Sequence, residues 1–434
     1  MSEKESIAVS VIIPVHNAAG YISDTLSTVL SQTLNDIEII IVNDCSDDNT
    51  LEIVSALAET DSRIRVINNR TNLGRGGSRN IGLDAATGEY VIFLDDDDYA
   101  DNMMLERMYA RASDIQADVV ICRSQSFDPA LQVYAPMPWS VRQELLPDLK
   151  FFSSQDIPSD FFRTFVWWPW DKLLRRQFIT SHQLRFQEIR TTNDLFFVCA
   201  FMLMANRISV LNETLISHTI NRSESLSATR AESHRCAVEA LVALKAFICQ
   251  QGMMEHRLRD YKNYVVVFLE WHLNTISGPT FHPFYQQVKE FVVALDAKSD
   301  DFYDEFIAAA HHRITTLSAE EYLFSLKDRV LKELEFFQAR SSALQQEVET
   351  LTHSFAGQKD ENAILHNQLH EIEERVTEQE QNIRQLTDKN NDMHHEMTIK
   401  QQEFNEIYQH HKNLISSLSW KLTKPLRVVR RFFK

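Results

Sequence analysis

Cysteine is scarce in this chain: the five present, Cys45, Cys122, Cys199, Cys236 and Cys249, are odd in number, widely spread and never in a C-x-x-C pair. Neither a disulfide framework nor a zinc site is suggested, and the expected setting is a reduced cytosol. Basic charge is also short, with 44 Lys and Arg against 61 Asp and Glu and a formal net charge of −17. That balance argues against nucleic acid as a partner, so an anionic ligand needs a local site or a metal. Long apolar runs are missing as well. The best candidate, residues 264–273, is broken by Glu270 and His272 and falls short of the roughly 18 residues of a spanning helix. The start, Met1 to Ser6, is polar and acidic and lacks the basic and apolar regions of a signal peptide. The expectation is a protein that does not cross a membrane. Its 434 residues, 44% hydrophobic, predict two or three units, each able to bury a core.

What is present begins with a periodic first third. Short β-branched runs at 9–13, 37–42, 64–67, 90–94 and 119–122 read as strands. Between them lie helix-period segments at 22–30, 50–59, 76–86 and 103–116. Strands alternating with helices of this length predict a parallel sheet with right-handed crossovers and a ligand beyond the carboxyl ends of the strands. Three polar clusters fall at those ends: Pro14-Val15-His16-Asn17, Asn43-Asp44, and Asp95 to Asp98. Four consecutive acids leaving a buried strand repel one another, and a divalent cation held by hard oxygens keeps them ionised. A solvated acidic loop that caps the next helix is the competing reading; it does not explain why all three clusters share one edge.

The glycine-rich stretch Asn72-Leu-Gly-Arg-Gly-Gly-Ser-Arg-Asn-Ile-Gly82 matches neither G-x-G-x-x-G, since Arg79 stands at the third glycine, nor the P-loop. A dinucleotide dehydrogenase and an ordinary NTPase are thereby disfavoured. The stretch brings Arg75 and Arg79 to a helix start, where they can meet phosphate or the acidic cluster. The glycines themselves serve equally well for close helix packing.

In order and spacing, residues 10–17, 41–50, 72–82 and 93–98 resemble the donor half of glycosyltransferase family 2. The resemblance implies a GT-A fold, a Rossmann-like mixed sheet with helices, and inverting transfer from a nucleotide sugar with Mg²⁺ or Mn²⁺ as cofactor. It implies that Pro14 and His16 line the nucleotide pocket, His16 standing where Tyr or Phe is frequent. Asp44 would accept from the base, most often uracil. Asp95-x-Asp97 looks like the D-x-D motif, with Asp95 near the ribose, Asp97 on the metal, and Asp95 and Asp96 sharing in ligation or nucleotide binding. Asp96 replaces a frequent Ser, and Cys45 a usual Gly.

Further along, Trp170-Asp-Lys-Leu173 and Thr192-Asn-Asp-Leu-Phe-Phe197 again resemble the family, in which an acidic pair precedes an apolar helix. This chain has Asn193-Asp194, and the resemblance implies that Asp194 is the catalytic base. A plain N-cap for the helix that follows is the simpler alternative, and the two roles are compatible. The segment 217–223 resembles a strand near the diphosphate, with His218 where Tyr is common and Arg222 as a phosphate contact. The aromatic run 161–170 reads first as core and second as a surface for sugar rings.

The domain expectation is a donor half (1–125), an acceptor half (126–230), a helical region (231–330), a coiled coil (331–418) and a basic amphipathic tail (419–434). The coiled coil rests on a seam from Leu334 to Leu418 in alternating steps of three and four, roughly a dozen heptads on the order of 120 Å long. Asn362 and Asn390 at a positions favour a parallel homodimer, and the polar core leaves a trimer open. The tail interleaves Lys421, Lys424, Arg427, Arg430, Arg431 and Lys434 with Trp, Leu, Val and Phe, a pattern suited to an anionic membrane surface. The resulting expectation is a peripheral enzyme on the cytoplasmic face of the plasma membrane, acting on a carbohydrate or lipid-linked acceptor. A catalytically weak GT-A-like module on a membrane-bound coiled-coil scaffold is the alternative.

Overall fold

A computed structural model describes residues 7–221, 230–357 and 362–416 of the chain. The described parts of 1–276 and 280–316 form one compact unit, and those of 277–279 and 317–434 a second.

The first unit opens with β1 (Val9–Val15), α1 (Ile22–Leu30), β2 (Ile37–Asn43), α2 (Thr50–Thr60), β3 (Ile64–Asn68), α3 (Gly74–Ala85) and β4 (Tyr90–Phe93). All pairings among these four strands are parallel. With helices covering both faces, the runs of Val and Ile in β1, β2 and β4 are buried throughout apart from Glu38. α1 follows its apolar stripe, burying Ile22, Leu26 and Val29.

After β5 (Tyr99–Ala100) and α4 (Met104–Ile115) come β6 (Val119–Asp128), β7 (Val133–Pro136), α5 (Phe161–Thr164), β8 (Lys172–Arg175), α6 (Arg176–Ser181), α7 (Leu195–Met204) and β9 (Ile208–Thr219). One sheet holds all nine strands, in the order β3-β2-β1-β4-β8-β6-β9-β5 with β7 paired to β6. Because β8 runs antiparallel to both β4 and β6, the sheet is mixed and continuous from β3 to β5.

Pro14 is a departure from expectation. Sequence ends the first strand before it, yet β1 runs on to Val15 with Pro14 in register with Val42. Ile12 O accepts from Leu94 N on the β4 side and Val15 O accepts from Asp44 N on the β2 side. Pro14 therefore turns its missing N–H toward β4, which has already ended at Phe93, and no ladder bond is lost. The same divergence of β1 and β4 opens the crevice that holds the acids. Cys45 has φ of +60°, a left-handed conformation that explains why glycine suits this position.

Four further helices, α8 (Arg235–Gln250), α9 (Met254–Leu273), α10 (Phe281–Val293) and α11 (Glu305–Thr316), complete this unit.

The second unit contains α12 (Ala319–Gly357) and α13 (Asn362–Ser416), which pack on each other. Lys389 has Arg329 and Glu333 as charged neighbours, and Lys400 has Glu320, so the helices run antiparallel. Tyr322, Leu326, Val330, Ser341, Leu344 and Ile372 are buried. The seam expected over 331–418 is thus shared, among the described residues, between α12 and α13, which meet within one chain. No helix among the described residues is long and apolar enough to cross a membrane. The basic tail at 419–434 lies outside the described residues, as does Arg222.

Candidate functional site

Where β1, β2 and β4 end, their loops and the start of α3 surround a cavity of about 560 Å³. Pro14, His16, Asn17, Asp44, Arg75, Asp96 and Asp97 line it. Residues expected from three separate loops are therefore neighbours.

Each is held from the backbone outward. Asn17, at φ +52°, accepts from Asp47 N through Oδ1 at 3.0 Å, and its own N–H donates to Ser46 Oγ at 3.0 Å. His16 Nδ1 donates to Asp44 O at 2.9 Å. Asp44 Oδ1 accepts from Asn69 Nδ2 at 2.9 Å and from Leu73 N at 2.8 Å. Asn69 Nδ2 also bonds Ser78 Oγ at 3.1 Å, which ties the cavity floor to α3. The loop into α2 is capped by Asp48, whose Oδ1 accepts from Thr50 N at 3.0 Å; Asn49 makes no capping bond.

The four acids divide by partner. Asp95 Oδ1 lies 3.0 Å from Arg75 Nη1 and 2.7 Å from Arg79 Nη2, and these guanidiniums, working against burial, bring its carboxyl down to about 2. Asp96 Oδ1 meets Arg75 Nη2 at 2.9 Å, and its carbonyl accepts from Thr25 Oγ1 at 2.9 Å. Asp97 lines the cavity while its carbonyl accepts from Thr219 Oγ1 at 2.5 Å. Asp98 is buried; its Oδ1 accepts from His218 Nδ1 at 2.8 Å and from Thr219 N at 3.1 Å, and its Oδ2 has no partner. Burial pushes Asp98 up to about 6 despite His218. The His218 imidazole is in turn lifted to about 9, Asp98 overcoming its own desolvation.

Arg79 is buried, with a side chain only 3% exposed. Its Nη1 donates to Asn193 Oδ1 at 2.9 Å and lies 4.0 Å from Asp194 Oδ2. Arg79 thus stands between Asp95 and the Asn193-Asp194 turn rather than in the cavity wall. Asp194 occupies the N-cap of α7 but makes no side-chain capping bond. Burial raises its carboxyl to about 6, the opposing pull of Arg79 being the smaller effect. Thr192, just before this pair, has φ of +61°, a strained conformation for a β-branched residue. Gly76 sets the spacing: a Cβ there would meet Gln187 O at 2.0 Å.

Metal fit follows from the donors. Asp97 and Asp95 are hard oxygen ligands of the kind Mg²⁺ and Mn²⁺ take, so the donor chemistry fits such an ion. Among the described residues no group of three His, Cys, Asp or Glu is arranged to hold a metal; Asp95 pairs with Arg75 and Arg79, and Asp96 with Arg75.

Sequence reasoning missed Tyr21, Asn72, Glu188, Ile189 and Arg190, which also line the cavity. Exposed loop residues such as Glu188 and Arg190 carry no local signal. It also missed the stack of Trp168, Trp170 and His218, with ring centroids 4.5 Å apart for the Trp pair and 5.0 Å for Trp170 and His218. Lys172 anchors this stack from below. Fully buried beside Asp171, it donates to Asp171 Oδ1 at 2.6 Å, Val166 O at 2.8 Å and Trp168 O at 2.9 Å.

Comparison with known proteins adds the family. Residues 10–210 match the family model described as glycosyl transferase family 2. The chain is 34% identical over 215 residues to the uncharacterized glycosyltransferase EpsJ of Bacillus subtilis, covering 49% of this chain and 61% of EpsJ. It is 30% identical over 271 residues to the cholesterol galactosyltransferase of Borreliella burgdorferi, covering 60% of this chain and 73% of that one. Among solved structures, that of Staphylococcus aureus TarS residues 1–349 in complex with UDP-GlcNAc is similar, with 22% identity and a TM-score of 0.47 over 71% of this chain and 90% of that one.

Proposed function

The chain belongs to glycosyltransferase family 2, and we propose that it is a metal-dependent, inverting transferase that moves a sugar from a nucleotide diphosphate, a UDP-sugar, to a lipid-linked or growing polysaccharide acceptor. The observation that carries this reading is the convergence of Asp44, Arg75 and Asp97 on one cavity, with Asp194 behind it across Arg79. In this reading residues 1–125 bind the donor and 126–230 the acceptor. Pro14, His16 and Asn17 border the nucleotide, Asp44 reads the base, and Asp95 and Asp96 lie toward the ribose and diphosphate.

The acceptor oxygen bonds to the anomeric carbon as the bond to the diphosphate breaks, and Asp194 takes the hydroxyl proton. Its raised affinity for protons suits a base working near neutrality. Arg75 faces the negative charge that grows on the leaving group, and Arg222, outside the described residues, is proposed as a second phosphate contact; Arg79 positions Asp95 and Asp194. A bound Mg²⁺ or Mn²⁺, held by Asp97 and Asp95, would supply further charge stabilisation there. The basic tail suits the cytoplasmic face of an anionic membrane, where lipid-linked acceptors lie.

Asn193 favours the catalytically weak alternative, since it gives Arg79 a neutral acceptor where the family has an acid. The test is a panel of nucleotide sugars with Mn²⁺, read by thermal shift and by donor hydrolysis. Stabilisation by a UDP-sugar with hydrolysis lost in Asp97→Ala and Asp194→Ala is expected. Binding without turnover of any donor selects the alternative, and full activity in both variants overturns the assignment.

A further inference from the structure

Two arginines serve the same acids but are not equivalent. Arg79 is wedged in the interior, 3% exposed, its guanidinium shared among Asp95, Asn193 and the face of Phe186. It has no room to leave. Arg75 makes two ion pairs, at 3.0 Å to Asp95 and 2.9 Å to Asp96, beside the 2.7 Å pair of Arg79 with Asp95, yet its side chain is 27% exposed and forms part of the cavity wall. It also follows Gly74, which has φ of +74° and nothing within 4 Å of where a Cβ would stand. The chain beside Arg75 therefore has open space around it, although Gly74 N still donates to Asn72 Oδ1 at 3.0 Å, whereas at Gly76 the helix is pressed against Gln187.

From this contrast we propose that Arg75 is an internal substitute for the divalent cation: it holds Asp95 and Asp96 in the donor-free protein and has to leave them before an ion can bind. The inference rests on the metal-dependent reading above and adds an exchange to it. The charges make the exchange costly in one order and easy in another. An ion arriving alone breaks two partly buried ion pairs and leaves the guanidinium without a partner. An ion arriving with a nucleotide diphosphate replaces those pairs, and the displaced guanidinium turns to the phosphates, for which its planar fork is suited. Ion and nucleotide thus assist each other's binding, each raising the affinity of the other by the same factor.

The experiment titrates the full chain with Mn²⁺ by calorimetry and by electron paramagnetic resonance, with and without UDP. It compares the wild type with Arg75→Ala, Arg75→Lys and Arg190→Ala, after circular dichroism has shown which variants fold. Arg190 lines the same cavity and pairs with Glu232 at 2.6 Å, so its removal deletes an equal charge without freeing the acids. The expected result is weak Mn²⁺ binding by the wild type alone, tightened on the order of tenfold by UDP. Arg75→Ala binds Mn²⁺ alone on the order of tenfold more tightly than the wild type, and the assistance from UDP shrinks. Arg75→Lys, which keeps a charge but cannot bridge two carboxylates, falls between and decides the matter if the alanine variant does not fold. Unchanged Mn²⁺ affinity in both Arg75 variants overturns the exchange, as does an equal gain in Arg190→Ala, or no Mn²⁺ binding by any of the proteins. Absence of UDP binding by the wild type would instead sink the nucleotide-sugar reading itself.

Discussion

The parallel sheet around the acids and the α12–α13 pair were written in the sequence with equal regularity, yet only one of them declares its partners. In β1, β2 and β4 every strand is buried on both faces. Burial, parallel pairing and loop chemistry then reinforce one another, and the polar strand ends can meet only at one edge. In α12 and α13 the heptads specify an apolar seam and nothing more. A seam that would satisfy a second chain is satisfied as well by the same chain turned back on itself, and Leu344 and Ile372 are buried in that way. Periodicity in a helix fixes which face is covered; periodicity in a covered sheet also fixes by what.

This contrast can be tested where each region is most dependent on a single contact. The largest effect is expected at Lys172 in the sheet. Replacing it by Ala leaves the buried Asp171 carboxylate, already pushed up by burial and with an unpartnered Oδ2, without its cation. A loss of about 3–5 kcal/mol in chemical denaturation is expected, and a cost under about 1 kcal/mol would mean that the buried carboxylate does not depend on its cation. In the hairpin, Leu344→Ala should cost about 2–5 kcal/mol, but only to the helical transition seen at 222 nm, with UDP affinity unchanged. Loss of both together would erase the distinction between the regions.

Gly76→Ala is a sharper and more local probe. Its methyl has to push α3 or the 187–193 segment aside, so donor turnover should fall by on the order of a hundredfold, as for ångström-scale misplacement of a catalytic group, while the melting temperature moves by a few degrees. The smallest effect concerns pH. Because the fold raises Asp194 from 3.8 to about 6, protonation of this group favours the folded state. Its contribution to stability is complete below about pH 4 and is lost as pH rises through about 6. Activity runs the opposite way, since the base must be ionised: kcat/KM should fall tenfold per pH unit below about 6. A flat profile from pH 5 to 8 would remove Asp194 from that role.

Much of the site was legible: strand ends concentrate polar residues and pointed to Asp44 and to Asp95 to Asp98, the glycine-rich stretch brought in Arg75, and the family resemblance singled out Asp97. What escaped depended on distant neighbours. Pro14 belongs to β1 only because β4 has already left. Sequence allows Arg79 either phosphate or the acidic cluster as partner; it pairs with Asp95, and its burial against Asn193 depends on a turn more than a hundred residues away. The stack of Trp168, Trp170 and His218 is assembled from β9 and the loop ahead of β8, which no local pattern announces. The antiparallel pairing of α12 and α13 escaped because heptads are indifferent to chain direction.

The left-handed Thr192 has a consequence for building variants of this protein. Such a residue stays where it is only if its neighbours over-determine it. Here Gln187 N donates to Asn193 O at 3.1 Å, and the buried hydroxyls of Thr191 and Ser233 pair at 2.8 Å. Ser233 lies just ahead of α8, in the helical region to which the sequence assigned no chemistry. That region is therefore not an interchangeable cassette: a chimera joined after β9 would have to bring its own hydroxyl to Thr191, or the turn bearing Asp194 would be free to relax.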